Sequence, residues 1–93
     1  MARKRSVIDT VRALAEGGAV VLSEHALVES MGDDGLFPDD VVHVLANAAR
    51  CIAQDDSSVK FKVFGPIVSG IELVVVVNVR ADHLFVITCH LPP

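Results

Sequence analysis

Residues 59–90 read VKFKVFGPIVSGIELVVVVNVRADHLFVITCH, and their reading decides the fold. Val59, Phe61 and Val63 alternate with Lys60, Lys62 and Phe64, the period of a strand with one covered and one partly wet face. Gly65-Pro66 and Ser69-Gly70 interrupt the chain. Ile71–Val79 and Leu84–His90 are β-branched runs joined by Arg80-Ala81-Asp82-His83, which predicts an antiparallel hairpin. A weaker strand is expected around Cys51–Gln54, bringing the total to four.

Upstream the period is helical. Val7, Ile8, Val11, Leu14 and Ala15 follow the i, i+3, i+4, i+7 rule, with Ser6 as cap, Asp9 in the capping-box position and Gly17-Gly18 as the stop. Ala19–Leu22 reads as a short extended or buried segment. Ser23 caps a second helix running to about Met31, which Gly32-Asp33-Asp34-Gly35 ends. Pro38 suits the first turn of a third helix, where Asp39 and Asp40 oppose the positive end of the dipole and Val41, Val42, Leu45 and Ala48 or Ala49 form the buried face. Asp39, His43, Asn47 and Arg50 repeat at helical spacing and read as a solvated stripe on that helix. The expectation is an α+β domain: two or three N-terminal helices packed on a four-stranded antiparallel sheet.

The chain has 93 residues, which is room for one core, so residues 1–93 are expected to form a single domain. At 52 % hydrophobic and 22 % charged it is no disordered tail. Four Phe with no Tyr or Trp give few shelves for stacking. Net charge is −4 but uneven: residues 1–12 carry +3, through Arg3, Lys4, Arg5 and Arg12 against Asp9, and residues 13–93 carry −7. That balance opposes wrapping of a polyanion, which needs cations to displace counterions. Cys51 and Cys89 form no CxxC pair, and no apolar run approaches the ~20 residues of a membrane span. A reduced, cytoplasmic protein without a membrane partner is expected. The four histidines show no metal-ligand spacing, and no cofactor is expected.

Four features carry candidate chemistry. His25 follows Ser23-Glu24 at a helix start, where free N–H groups favour an anion; the plainer reading is a half-buried first-turn residue. Lys60 and Lys62 project from one strand face about 7 Å apart, near the spacing of successive phosphates, and with Arg80 would form a cationic patch. Alternating lysines also serve simply to solvate a strand or guard an edge. His90 ends the last strand, where imidazole can act as acid or base near neutrality, and Thr88 can offer a hydroxyl beside it or serve as an ordinary β-former. Whether His90 shares a face with the lysines depends on register, since a slip of one residue reverses its side.

The series Ser23-Glu24-His25-Ala26-Leu27, Gly35-Leu36, Asp40-Val41, Phe61-Lys62-Val63-Phe64-Gly65 and Val86-Ile87-Thr88 resembles a bacterial domain family of unknown function. Its members run S-x-H-A, R-M, R-G-I, D-V, a glycine-ended strand and V-I-T-x-Y-x-P, and it is grouped with the RelE-like and colicin-like toxin ribonucleases. The resemblance covers residues 19–92. It implies a RelE/barnase-like toxin fold and metal-independent RNA cleavage, held in check by an antitoxin. His25, His90 and Thr88 would then be catalytic, and Lys60, Lys62 and Arg80 would bind phosphate. His25, Thr88 and Gly65 match the family pattern directly, and Lys62 stands just before the glycine-ended part of the strand. The family's two arginines have no counterpart, since Glu29-Ser30-Met31 and Asp34 stand near their places, and His90 replaces the closing Tyr. Charge stabilisation in such a site would be reduced by several kcal/mol, a single oxyanion donor being worth ~3 kcal/mol. The competing expectation is a non-catalytic acidic module on the same fold that binds a protein or forms a homodimer.

Overall fold

The computed structural model describes residues 6–30, 38–54 and 59–91. Arg3, Lys4 and Arg5, the proposed stop after the second helix and the Gly35-Leu36 match lie outside the described residues. Helix α1 spans Val7–Glu16, with Ser6 Oγ accepting from the Asp9 amide at 3.3 Å, and helix α2 spans Pro38–Ala46. The strands are β1 Val20–Leu22, β2 Arg50–Ala53, β3 Lys60–Pro66, β4 Glu72–Val79 and β5 Leu84–His90.

The α+β class is present, but the expected four-stranded antiparallel sheet is not. The sheet has five strands in the order β1-β5-β4-β3-β2, and β1 runs parallel to β5, so it is mixed. Among the described residues, two α-helices accompany it. In place of a second α-helix, a helical turn at Glu24 passes into a short π-helical segment, Ala26–Ser30. Three residues, Val20–Leu22, are too few to display a period, so the fifth strand has no local signature. Their pairing is fixed by contacts distant in sequence: the Leu84 amide donates to Ala19 O at 2.8 Å and the Ser23 amide to Val86 O at 2.9 Å.

Both helices lie on one face of the sheet. The core joins Val11 and Ala15 of α1, Val41, Val44 and Leu45 of α2, and Phe61, Val63, Leu73, Val75, Val77, Leu84, Val86 and Cys89 of the strands. Gly65 lets α2 approach β3: a Cβ there would stand 2.7 Å from Val44 O and 3.2 Å from Val44 Cγ1. Arg12 crosses from α1 to donate through Nε, at 2.9 Å, and through Nη2 to Ala48 O, tying the two helices together beyond the end of α2. The α2 helix stops before Arg50: the Asn47 amide still donates to His43 O at 3.0 Å, with Nδ2 donating to the same oxygen at 2.9 Å, but the Ala49 amide donates to Phe64 O of β3 at 2.7 Å. The expected polar stripe therefore ends at Asn47, and Arg50 opens β2 instead.

Cys51, Val63, Val75 and Cys89 form one row across four strands. Three strand spacings separate the two thiols by about 14 Å, twice the span a disulfide bridges, and neither is in a disulfide. Burial pushes the Cys51 thiol up, partly offset by the Arg12 charge. It is a protonated, weakly nucleophilic packing residue at neutral pH.

Candidate functional site

The face of the sheet turned away from the helices carries the candidate chemistry. Side chains alternate across each strand, so the burial of Phe61, Val63 and Gly65 on the helix side places Lys60, Lys62 and Phe64 on the other. Register extends this outer face as rows. Ile52, Lys62, Val76 and Thr88 form one; Arg50, Phe64, Val74 and His90 form the next; Lys60, Asn78 and Phe85 lie on the opposite side of the first.

A β-bulge that absorbs one extra residue keeps Thr88 and His90 there. Val77 pairs with Val86 and Val76 with Thr88, leaving Ile87 as a β-bulge. Unbroken alternation from Leu84 and Val86 would send Thr88 and His90 into the core and Cys89 outward. With the bulge, Cys89 is 1 % exposed and His90 lies in solvent. Ser23 pins this irregularity: its amide donates to Val86 O, its Oγ donates to Ile87 O at 2.8 Å, and the same Oγ accepts from the Ala26 amide at 3.1 Å. Ser23→Ala removes a cap and leaves a bulge carbonyl without its donor, and is expected to cost about 1–2 kcal/mol. The midpoint of urea unfolding measures it; a shift worth under 0.3 kcal/mol would mean the hydroxyl holds nothing.

His90 is oriented by its own chain. Its Nδ1 lies 3.0 Å from Leu91 O, and a carbonyl only accepts, so Nδ1 carries the hydrogen and the neutral ring keeps its lone pair on Nε2. From sheet spacings, Lys62 stands about 10 Å from Thr88 and about 12 Å from His90, Cα to Cα, within joint reach of one phosphate by long side chains. Val74 and Val76, between them, are only 3 % and 7 % exposed. The polar groups therefore stand on a closed apolar floor.

The remaining candidates are spread out. Lys60 lies two residues from Lys62 and about 17 Å from His90. Arg80 is exposed in the β4–β5 turn, its amide donating to His83 O at 2.9 Å, about 20 Å along the strands from the His90 row. Beside it Asp82 is held below the usual carboxylate range by its side-chain hydrogen bond to His83 and by that ring's charge. The depressed value means that this pair favours the folded turn at neutral pH and ceases to as pH falls through the carboxylate's lowered titration. His25 is exposed in the turn after β1, next to Ala26, which is buried in the core. It sits beyond the β1 edge of β5, two residues from the Ser23 that holds the bulge.

Sequence reasoning assigned no role on this face to Arg50 or Phe64. The Arg50 guanidinium lies over the Phe64 ring, 4.2 Å from its centroid. Among the described residues, Arg50, Lys60 and Lys62 oppose Glu72 alone on the outer face. The helices carry Asp9, Glu16, Asp39 and Asp40 against Arg12. The negative chain thus has a positive sheet face. No group of three or more His, Cys, Asp or Glu able to hold a metal occurs among the described residues, and no described helix is long and apolar enough to cross a membrane. Comparison with family models, with curated proteins and with solved structures finds no match to this chain.

Proposed function

We propose that the chain is a toxin-type endoribonuclease that cleaves RNA without a metal, using the outer face of its sheet. The observation that carries this reading is the common face of Lys62, Thr88 and His90, with the Nε2 lone pair of His90 unclaimed by its backbone hydrogen bond. In the reaction the 2′-oxygen bonds to the adjacent phosphorus as the bond from phosphorus to the 5′-oxygen breaks. His90 Nε2 takes the 2′-hydroxyl proton, and a protonated His25 returns one to the departing oxygen. Lys62 faces the charge that develops on the phosphorane, Thr88 orients the phosphate, and Lys60 and Arg80 hold the chain farther along. The motif resemblance across residues 19–92 supports the same chemistry. In the cell, an antitoxin would cover this cationic face, with steering that weakens as salt rises.

The test is incubation of the purified protein with single-stranded RNA in the presence of a chelator. The wild type should yield fragments ending in 2′,3′-cyclic phosphate, and Lys62→Ala/His90→Ala should yield none. Equal cleavage by both would assign the activity elsewhere.

One observation favours a second reading. Ile52 on β2 and Val21 on β1 are 46 % and 48 % exposed, at the two edges of the outer face. Short edge strands with exposed apolar side chains suit pairing with a second copy. In that case the protein is a binding module: it sediments as a dimer, Ile52→Lys returns it to a monomer, and RNA is left intact.

A further inference from the structure

The geometry points to Arg50 as the residue that orients the scissile phosphate opposite His90, a role prepared by its stacking on Phe64; this rests on the ribonuclease reading above. The cation is not one that spacing in the chain suggests, because Arg50 continues a helical stripe by count and reaches the sheet only when the α2 helix stops at Asn47.

Three observations converge on it. Arg50 pairs with Phe64, Phe64 with Val74 and Val74 with His90, so the guanidinium and the imidazole belong to one row on one face. Although Arg50 is rooted on the edge strand β2, its guanidinium lies over the Phe64 ring of β3, which carries the charge inward from the edge toward the histidine. Third, that ring holds a weakly hydrated planar ion by attraction to its π-face and leaves the N–H fork able to meet two phosphate oxygens at once. A lysine on β2 would supply the charge without the plane. Lys62, in the neighbouring row, then bears on the same phosphate from the side, and the row of Arg50 and His90 sets the line along which the two sides of the reaction are addressed.

The experiment compares wild type with Arg50→Ala, Arg50→Lys and Phe64→Leu, each checked for an unchanged unfolding midpoint. The readouts are kcat and KM on single-stranded RNA and the salt dependence of binding to a 2′-O-methyl oligonucleotide that cannot be cleaved. Arg50→Ala should lower kcat/KM by about 100-fold, mostly in kcat, and reduce the slope of log affinity against log salt by about 0.7, the value of one single-strand phosphate contact. Arg50→Lys should restore the salt slope while leaving kcat at least tenfold down, and Phe64→Leu should fall between the two. An active wild type with Arg50→Ala within twofold of it overturns the assignment and leaves the ribonuclease reading intact. A wild type that binds the oligonucleotide through Arg50 but cleaves nothing retains the phosphate site and overturns the ribonuclease reading. A wild type that neither binds nor cleaves overturns both.

Discussion

Gly65→Ala is expected to lose about 3 kcal/mol of folding stability, a large effect for one methyl group. The added Cβ would lie 2.7 Å from a backbone oxygen, Val44 O, and 3.2 Å from Val44 Cγ1, with Ala48 Cα at 3.4 Å. A side chain can rotate away from such a contact, whereas the α2 backbone moves only by lifting the helix off β3. Helix lifting would open space around Val44 and Leu45, both fully buried. Overpacking of this kind costs ~1–3 kcal/mol, and more when backbone is involved, out of a total near 5–14 kcal/mol for a chain of this length. Gly17→Ala is the control, since its nearest neighbours lie at 3.6 and 3.7 Å and its backbone is right-handed. Urea denaturation of the two variants measures the difference. A Gly65→Ala loss below 1 kcal/mol would show that α2 and β3 do not approach as described.

His90→Gln is expected to reduce kcat by 10²- to 10⁴-fold, the usual contribution of a positioned proton-transfer group, while leaving the unfolding midpoint within about 0.5 kcal/mol because the side chain is exposed. The pH profile separates loss of a base from loss of a contact. A base acts only when deprotonated, so wild-type kcat should fall on the acid side as Nε2 gains a proton. The variant should lack that acid limb. His25→Gln, on the proposed acid, should remove the alkaline limb instead. A His90→Gln enzyme with reduced rate but an unaltered acid limb would make His90 a substrate contact and not the base.

How far the sequence revealed this depends on the distance over which each feature is decided. Ser6, Pro38 and the alternation from Lys60 to Phe64 act through neighbours within a turn or a strand, and they can be read directly. The short segment Val20–Leu22 becomes a strand through hydrogen bonds to residues more than sixty positions away, so nothing local distinguishes it from a loop. Arg50 misleads for a different reason: its spacing from Asn47 fits a helix that the chain has already left at Ala49, whose amide pairs with Phe64 of β3. The bulge did leave a trace. Leu84 and Val86 are apolar at even positions, whereas Thr88 and His90 are polar and Cys89 takes up the apolar phase, a shift of one that only an inserted residue reconciles with a continuous strand. Composition pointed away from the cationic face, because a total of −4 averages two surfaces of opposite sign.

The bulge at Ile87 makes the site a matter of parity. Every residue beyond it faces the helices or the solvent according to whether the count from Val86 is odd or even, and there is no intermediate setting. Flattening the bulge so that Ile87 pairs in register would keep each candidate side chain in the sequence yet turn Thr88 and His90 toward the helices. The interior would gain an imidazole to solvate, and Cys89 would be handed to the surface. Chemistry and core therefore hang on the same integer, and Ser23, which takes no part in either, is the residue that holds it.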